Sequence, residues 1–100
     1  MDSRIRKLLR RRAHHLEPIV LIGKNKITGG TINNINKALE ARELIKIKFR
    51  EFKDEKLKLS GKIAELTNSE IVGIIGHTMI LFRQILTQKN SKFISPLKNK

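Results

Sequence analysis

The hydrophobic residues of this chain recur at two spacings, and the first pattern is helical. Near the N-terminus the apolar positions three or four residues apart are Ile5, Leu8, Leu9, Ala13 and Leu16. Ser3 is a suitable N-cap in front of them. We therefore predict an amphipathic helix over residues 4–14, with arginines on its other faces.

Four consecutive apolar residues at positions 19–22 come next, after Pro18, which blocks further helix. Such a run without alternation is typical of a strand buried on both faces. The strand is expected to end at Gly23. Beyond a short polar segment, Thr28 can cap a second helix that reaches to about Arg42, with an apolar stripe formed by Ile32, Ile35, Ala38 and Leu39.

The segment "LIKIKFR" changes to a spacing of two. This alternation predicts a strand with one buried face and one face toward solvent or a ligand. The apolar face carries Ile45, Ile47 and Phe49, and the cationic face carries Lys46, Lys48 and Arg50.

The last elements are a helix and a hairpin. Asp54 can open a third helix whose apolar residues are Leu57, Ile63, Ala64 and Leu66. "EIVGIIG" and "MILFR" are then predicted to be two strands, and the short Gly76-His77-Thr78 link indicates a hairpin between them.

The predicted order is α-β-α-β-α-β-β, so the fold class is α/β. Strands that alternate with helices favour a mainly parallel sheet with right-handed crossovers, and the final hairpin requires one antiparallel strand. With 100 residues and 39% hydrophobic content, the chain can build one core. Residues 1–86 are expected to form this domain, and residues 87–100 a basic, mobile tail.

Charge is the strongest compositional signal. The chain has 22 Lys and Arg against 9 Asp and Glu, which gives a net charge of +13. Such an excess favours a polyanionic partner, most often nucleic acid and less often an anionic membrane surface. With no apolar run long enough for a membrane span and a charged N-terminus, the protein is expected to be soluble and cytoplasmic.

Gly23-Lys24-Asn25-Lys26 forms a cationic loop between the first strand and the second helix. Unpaired backbone N–H groups and the positive end of the helix dipole favour phosphate at such a place. The spacing fits neither a nucleotide-binding P-loop nor a dinucleotide-binding Gly-x-Gly-x-x-Gly motif. The phosphates are therefore expected to belong to a polymer, and a plain surface turn is the alternative.

Metal binding and catalysis have little support. His14 and His15 point about 100° apart on a helix and cannot chelate one metal together, and no cysteine is present. His14 is expected to pack at the end of the first helix. Glu40 and Glu43 lie in a charge-mixed stretch that is expected to be exposed, which would not perturb a pKa. We expect no enzyme activity, no metal and no cofactor.

Three segments, "AHHLEPIVLIGKNKIT", "ALEARELIKIKF" and "IVGIIGHTMILFR", resemble the CRM domain, an RNA-splicing and ribosome-maturation family with stand-alone, YhbY-like members. The similarity covers about residues 5–84. It includes Ala13-His14, Pro18, the Gly23-Lys24 turn followed by Thr28 and Gly30, and a Gly-x-Thr hairpin that leads to a strand ending in Arg83.

The resemblance implies a four-stranded mixed sheet similar to the C-terminal domain of translation initiation factor three. It also implies RNA binding through a Gly-x-x-Gly loop like that of KH domains, although Lys26 stands where the second glycine would be. Phe49 and Phe82 are expected in the core, which argues against a base-stacking sheet of the RRM type. Contacts with the RNA backbone should therefore dominate.

The expected function is non-catalytic binding, as a monomer, of ribosomal RNA or a precursor ribosomal subunit. The alternative is a DNA-binding or integral ribosomal protein that is recruited mainly by charge. The residues expected to bind RNA are Arg6, Arg10, Arg11, Gly23, Lys24, Asn25, Lys26, Thr28, Gly30, Lys46, Lys48 and Arg83.

Overall fold

A computed structural model of the chain describes residues 2–23, 27–50 and 55–84. The helices are α1 (Ser3–Ala13), α2 (Gly29–Arg42) and α3 (Lys56–Leu66), and the strands are β1 (Pro18–Ile22), β2 (Leu44–Phe49), β3 (Glu70–Ile75) and β4 (Thr78–Phe82). The predicted α/β order is confirmed. The predicted tail, its boundary at residue 87 and the Asp54 helix start lie outside the described residues.

The four strands form one mixed sheet in the order β1-β2-β4-β3. β1 pairs with β2 in parallel, whereas β4 is antiparallel to both β2 and β3. The single antiparallel strand is therefore confirmed, but the sheet is not mainly parallel in its pairing. Because β4 lies between β2 and β3, only one of the three ladders is parallel.

A two-residue turn, Gly76-His77, joins β3 to β4, as the sequence predicts. Gly76 has a φ of +59°, in the left-handed region that glycine adopts without steric cost. The backbone N–H of Phe49 donates to the His77 carbonyl, so the turn is also fastened to the end of β2.

The main core lies between the sheet and the helices α2 and α3. Its buried residues are Ile22, Ile35, Leu39, Ile45, Ile47, Phe49, Ile63, Met79 and Leu81. Ile45, Ile47 and Phe49 line one face of β2, which confirms the predicted alternation of that strand. Phe82 is buried in a second cluster, so both phenylalanines that the sequence placed in the core are there.

The second cluster lies on the opposite side of the sheet, which we call the α1 face. There Leu9 and Ala13 of α1 pack with Leu44, Val72, Ile80 and Phe82. The helix begins one residue earlier than predicted, because Asp2 is the N-cap and its Oδ1 accepts the Arg4 N–H at 2.7 Å. At the other end the backbone N–H of His14 closes the helix, but its side chain is exposed and not packed.

The prediction that β1 is buried on both faces is wrong. Val20 and Ile22 face the main core, whereas Ile19 is 40% exposed and Leu21 is 53% exposed on the α1 face. β1 is an edge strand, and α1 packs at the other end of this face, so nothing among the described residues covers its outer side chains.

The predicted stripe of α3 is only half right. Ile63 is buried and Ala64 packs against the core, but Leu57 and Leu66 are 71% and 51% exposed. Leu59 and Ser60 face inward instead. Leu59 and Ile63 are four residues apart and share a helix face, which sets the rotation of α3 and leaves Leu57 outside.

The N-cap of α2 gives a direct stability test. Thr28 Oγ1 accepts the Thr31 N–H at 3.1 Å, as predicted for this helix start. We expect Thr28→Ala to lower the free energy of unfolding by about 1 kcal/mol in urea titrations, because a helix N–H loses its acceptor. Thr28→Ser keeps the oxygen and should stay close to wild type. Equal stability of both variants would contradict the cap.

Candidate nucleic-acid interface

The arginines of α1 border the sheet rather than standing free of it. An ideal Cβ at Gly73 would lie 3.2 Å from Arg10 Cδ, so the Arg10 stem packs directly over that glycine. Arg6, one turn earlier, is partly buried, and its Nε has no hydrogen-bond partner among the described residues. Arg11 is exposed. Of the three predicted arginines, Arg10 therefore lies against the sheet, and Arg6, four residues earlier, shares its face of α1.

The lysines of β2 lie on the α1 face. Lys46 and Lys48 alternate with the core residues Ile45 and Ile47, so they share a face with Leu44 of the second cluster. Lys46 pairs with Ile80, and Ile80 pairs with Gly73, over which Arg10 lies. The structure thus brings the predicted cations of α1 and of β2 onto one surface.

Gly23, Thr28 and Gly30 lie at the end of the sheet where β1 and β2 finish. Among the described residues, a Cβ at Gly23 would meet nothing within 4 Å, and one at Gly30 would meet only Thr28 Oγ1, at 3.7 Å. Neither glycine has a positive φ. Packing therefore requires glycine at neither position. Lys24, Asn25 and Lys26, the centre of the predicted phosphate loop, lie outside the described residues.

Arg83 is half-buried and is held by hydrogen bonds within the protein. Its Nη1 donates to Asn36 Oδ1 at 2.8 Å and to the Thr67 carbonyl at 2.7 Å, and its Nη2 donates to the Asn36 carbonyl at 3.2 Å. The guanidinium thereby joins the end of β4 to the middle of α2 and the end of α3. A contact between Arg83 and RNA stays a prediction, and the structure gives this residue a positioning role.

Glu43 is not the solvated carboxylate that its surroundings in the sequence predict. It is 2% exposed and has a φ of +64° at the C-terminal end of α2. Its backbone N–H donates to the Leu39 carbonyl, and its own carbonyl accepts the Arg83 N–H. The residue turns the chain sharply from α2 into β2, which explains its burial.

The described part of the chain holds neither a cluster of metal ligands nor a helix suited to cross a membrane. Its histidine and carboxylate side chains form no group of three that could hold a metal ion. None of its helices combines the length and the apolarity that crossing a membrane requires. The rings of His14 and His15 meet edge to face with centroids 5.5 Å apart, and both residues are exposed.

Comparison with known proteins decides the family. The sequence model of the CRS1/YhbY (CRM) domain matches residues 1–83. The chain belongs to this family. Its CRM domain spans almost the same residues as the similarity that the sequence motifs indicated, and the α/β fold with a four-stranded mixed sheet agrees with it.

Several relatives of this CRM domain carry names that refer to RNA. A probable RNA-binding protein of Methanocaldococcus jannaschii is 34% identical over 83% of the chain, which spans only 63% of that protein. The probable RNA-binding protein YqeI of Bacillus subtilis is 35% identical over 84% of the chain and 88% of its own length.

A solved structure shows the same architecture. The solution structure of a hypothetical protein from Staphylococcus aureus, classed as a candidate RNA-binding protein, superposes with a TM-score of 0.77 and 34% identity. The match covers 93% of this chain and 96% of the other.

Sequence reasoning missed the apolar part of this surface. Leu21 and Ile75 are exposed on the α1 face, although Leu21 lies in a run predicted to be buried on both faces and Ile75 in a run predicted only to be a strand. The one signal of exposure in the sequence was that both residues lie close to a glycine, Leu21 to Gly23 and Ile75 to Gly76. Side chains at strand ends beside glycine turns are often beyond the reach of a covering helix. That signal does not reveal which face is open.

The bonds of Arg83 predict a loss of stability on substitution. Arg83→Met keeps much of the side-chain volume but leaves Asn36 Oδ1 and the Thr67 carbonyl without their donor. We expect the free energy of unfolding to fall by about 1–3 kcal/mol. The exposed Lys62→Met control should change it by less than about 0.5 kcal/mol. Urea unfolding followed by circular dichroism gives both values, and matching midpoints would refute the positioning role.

Proposed function

We propose that this CRM domain is a non-catalytic RNA-binding module. Its partner is ribosomal RNA or a precursor ribosomal subunit, which it binds in the cytoplasm as a monomer during ribosome maturation. The family and the names of its relatives support RNA as the partner. The observation that carries the proposal for this chain is the cationic α1 face, where Arg10, Lys46 and Lys48 lie together.

The α1 face is suited to a phosphate backbone for an electrostatic reason. Cations that share one surface act on the same stretch of polyanion, and each phosphate that they neutralise releases condensed counterions. The Arg10 stem packs over Gly73 of the sheet, so less conformational entropy is lost when it binds than for a free side chain. The net charge of +13 adds long-range attraction.

The start of α2 extends this surface around the edge of the sheet. Thr28 satisfies one N–H of the first turn, and the helix dipole favours negative charge there. Gly23 and Gly30 leave room for close approach of a backbone, since a Cβ at either would meet no atom of the described residues closer than 3.7 Å. We propose that Lys24, Asn25 and Lys26 continue the contact.

The charge-only alternative makes a different prediction for DNA. A protein that is recruited by net charge would bind duplex DNA and structured RNA of matched length equally well. The proposed function requires tighter binding to RNA, and crosslinking in cells should recover ribosomal RNA fragments. Equal affinity for the two nucleic acids would favour the alternative.

A charge-matched pair of triple variants tests the α1 face. We expect Arg6→Gln, Arg10→Gln and Arg11→Gln together to weaken RNA binding and to flatten its salt dependence. Each lost phosphate contact should remove roughly 0.7 to 0.9 from the slope of log affinity against log salt.

The control removes the same three charges from exposed positions on α2 and α3: Lys37→Gln, Lys58→Gln and Lys62→Gln. Its slope should remain close to that of wild type, because these lysines belong to the helices on the other side of the sheet. Equal flattening in both triple variants would show that net charge alone recruits RNA and would overturn the assignment of this face.

Lys26 stands where the family loop has its second glycine. A substitution there tests whether the loop binds RNA by close approach of its backbone or by attraction of charge. We expect Lys26→Gly to weaken RNA binding at low salt, where the lost charge matters most, and to preserve or improve it at high salt. Lys24→Glu should weaken binding at all but the highest ionic strength. If neither change alters affinity at either salt concentration, the loop is only a turn.

A further inference from the structure

One row of side chains on the α1 face is left uncovered by the residues that the structure describes. Leu21 pairs with Lys48, Lys48 with Thr78, and Thr78 with Ile75, so these four residues form a line across all four strands. We call this line the open row. Leu21 is 53% exposed and Ile75 is 63% exposed, and Lys48 is exposed between them.

The open row is uncovered because α1 packs on the other half of the sheet. The side chains beneath α1 include Leu44 and Phe82, at the opposite end of β2 and β4 from Lys48 and Thr78. Arg10 reaches over Gly73, which lies in the neighbouring row with Ile80 and Lys46. Arg10 and Lys46 therefore lie along one side of the open row.

The side chains of the open row indicate which kind of ligand it can bind. The row ends in two apolar side chains that lie about 14 Å apart, the distance of three strand spacings. A lysine and a hydroxyl group lie between them. Of the acidic residues that the structure describes, Glu17, before β1, and Glu70, which pairs with Phe82, both lie at the end of the sheet opposite the open row. A second copy of this chain would bring a charge of +13 against lysines and arginines, which disfavours self-association through this face.

We propose that the open row binds unpaired nucleotides of the RNA, with bases on Leu21 and Ile75 and phosphate on Lys48. This inference rests on the proposed function and deepens it, because it names single-stranded RNA as the ligand of this surface. Paired bases expose only their edges and backbone, whereas unpaired bases present flat faces that can cover exposed apolar side chains. Ile19, 40% exposed on the same face, extends the apolar end at β1.

The open row adds a contact that charge alone does not provide. Lys48, Lys46 and Arg10 attract any phosphate, but Leu21 and Ile75 can gain only from the removal of apolar surface from water. Affinity should therefore depend on the presence of bases. The dependence on salt should remain a property of the cations.

The test compares an oligouridine of about ten nucleotides with the same sugar-phosphate strand lacking its bases. Wild-type protein should bind the base-bearing strand roughly tenfold more tightly. The double variant Leu21→Thr with Ile75→Thr keeps residues suited to strands but loses the apolar ends. This variant should reduce the ratio of the two affinities to about twofold, and the slope of log affinity against log salt should stay unchanged.

Leu57 and Leu66 supply the matched control, since they are 71% and 51% exposed on α3 at the other side of the sheet. Leu57→Thr with Leu66→Thr should keep the wild-type ratio. Circular dichroism and melting temperature should show that both double variants are folded.

The outcomes separate this inference from the proposed function. One contradicting outcome is that wild-type protein binds the oligouridine and the base-free strand equally well. The other is that the open-row variant and the α3 control variant lose the dependence on bases equally. In either case the open row is not the base-binding surface. RNA binding that the α1 arginine variants weaken would still stand in that case. If wild-type protein binds neither oligonucleotide nor structured RNA, the proposed function fails and the inference fails with it.

Discussion

The mismatch between one short helix and one broad sheet face governs the arrangement of this CRM domain. α1 has 11 residues, which gives a length of about 16 Å and a width of about 10 Å. The sheet is about as wide as the helix is long, but its strands extend well beyond the width of one helix. α1 buries Leu44, Ile80 and Phe82, and among the described residues it leaves the next row open. On the other face of the sheet α2 and α3 together cover the main core, and that face is covered more completely.

The same mismatch explains why basic side chains gather where they do. A residue next to the buried stripe of α1 lies over the margin between covered and open sheet, and Arg10 fills that margin above Gly73. Lys46 and Lys48 continue the cationic surface along β2, because strand alternation places every second residue on this face. This cationic surface therefore arises from incomplete cover of a core.

Arginines in this chain divide between two roles that their local sequence does not distinguish. Arg83 donates to Asn36 and Thr67 and joins three elements of the fold. Arg11 is exposed on α1. Both are plausible phosphate ligands when seen as sequence. Partners 47 and 16 residues away in the chain decide the difference.

The sequence alone determined the order of elements, the two faces of β2, the Thr28 cap and the Gly76 hairpin, because these depend on spacing and on residues close in the chain. The motifs also indicated the family. Tertiary structure alone decided that β4 lies between β2 and β3, that Glu43 is buried, that Arg83 is held by hydrogen bonds within the protein, and that Leu21 is open. Those outcomes depend on which elements meet across the sheet and how far a helix extends over it. An apolar residue in a strand has the same local pattern whether or not a helix reaches it.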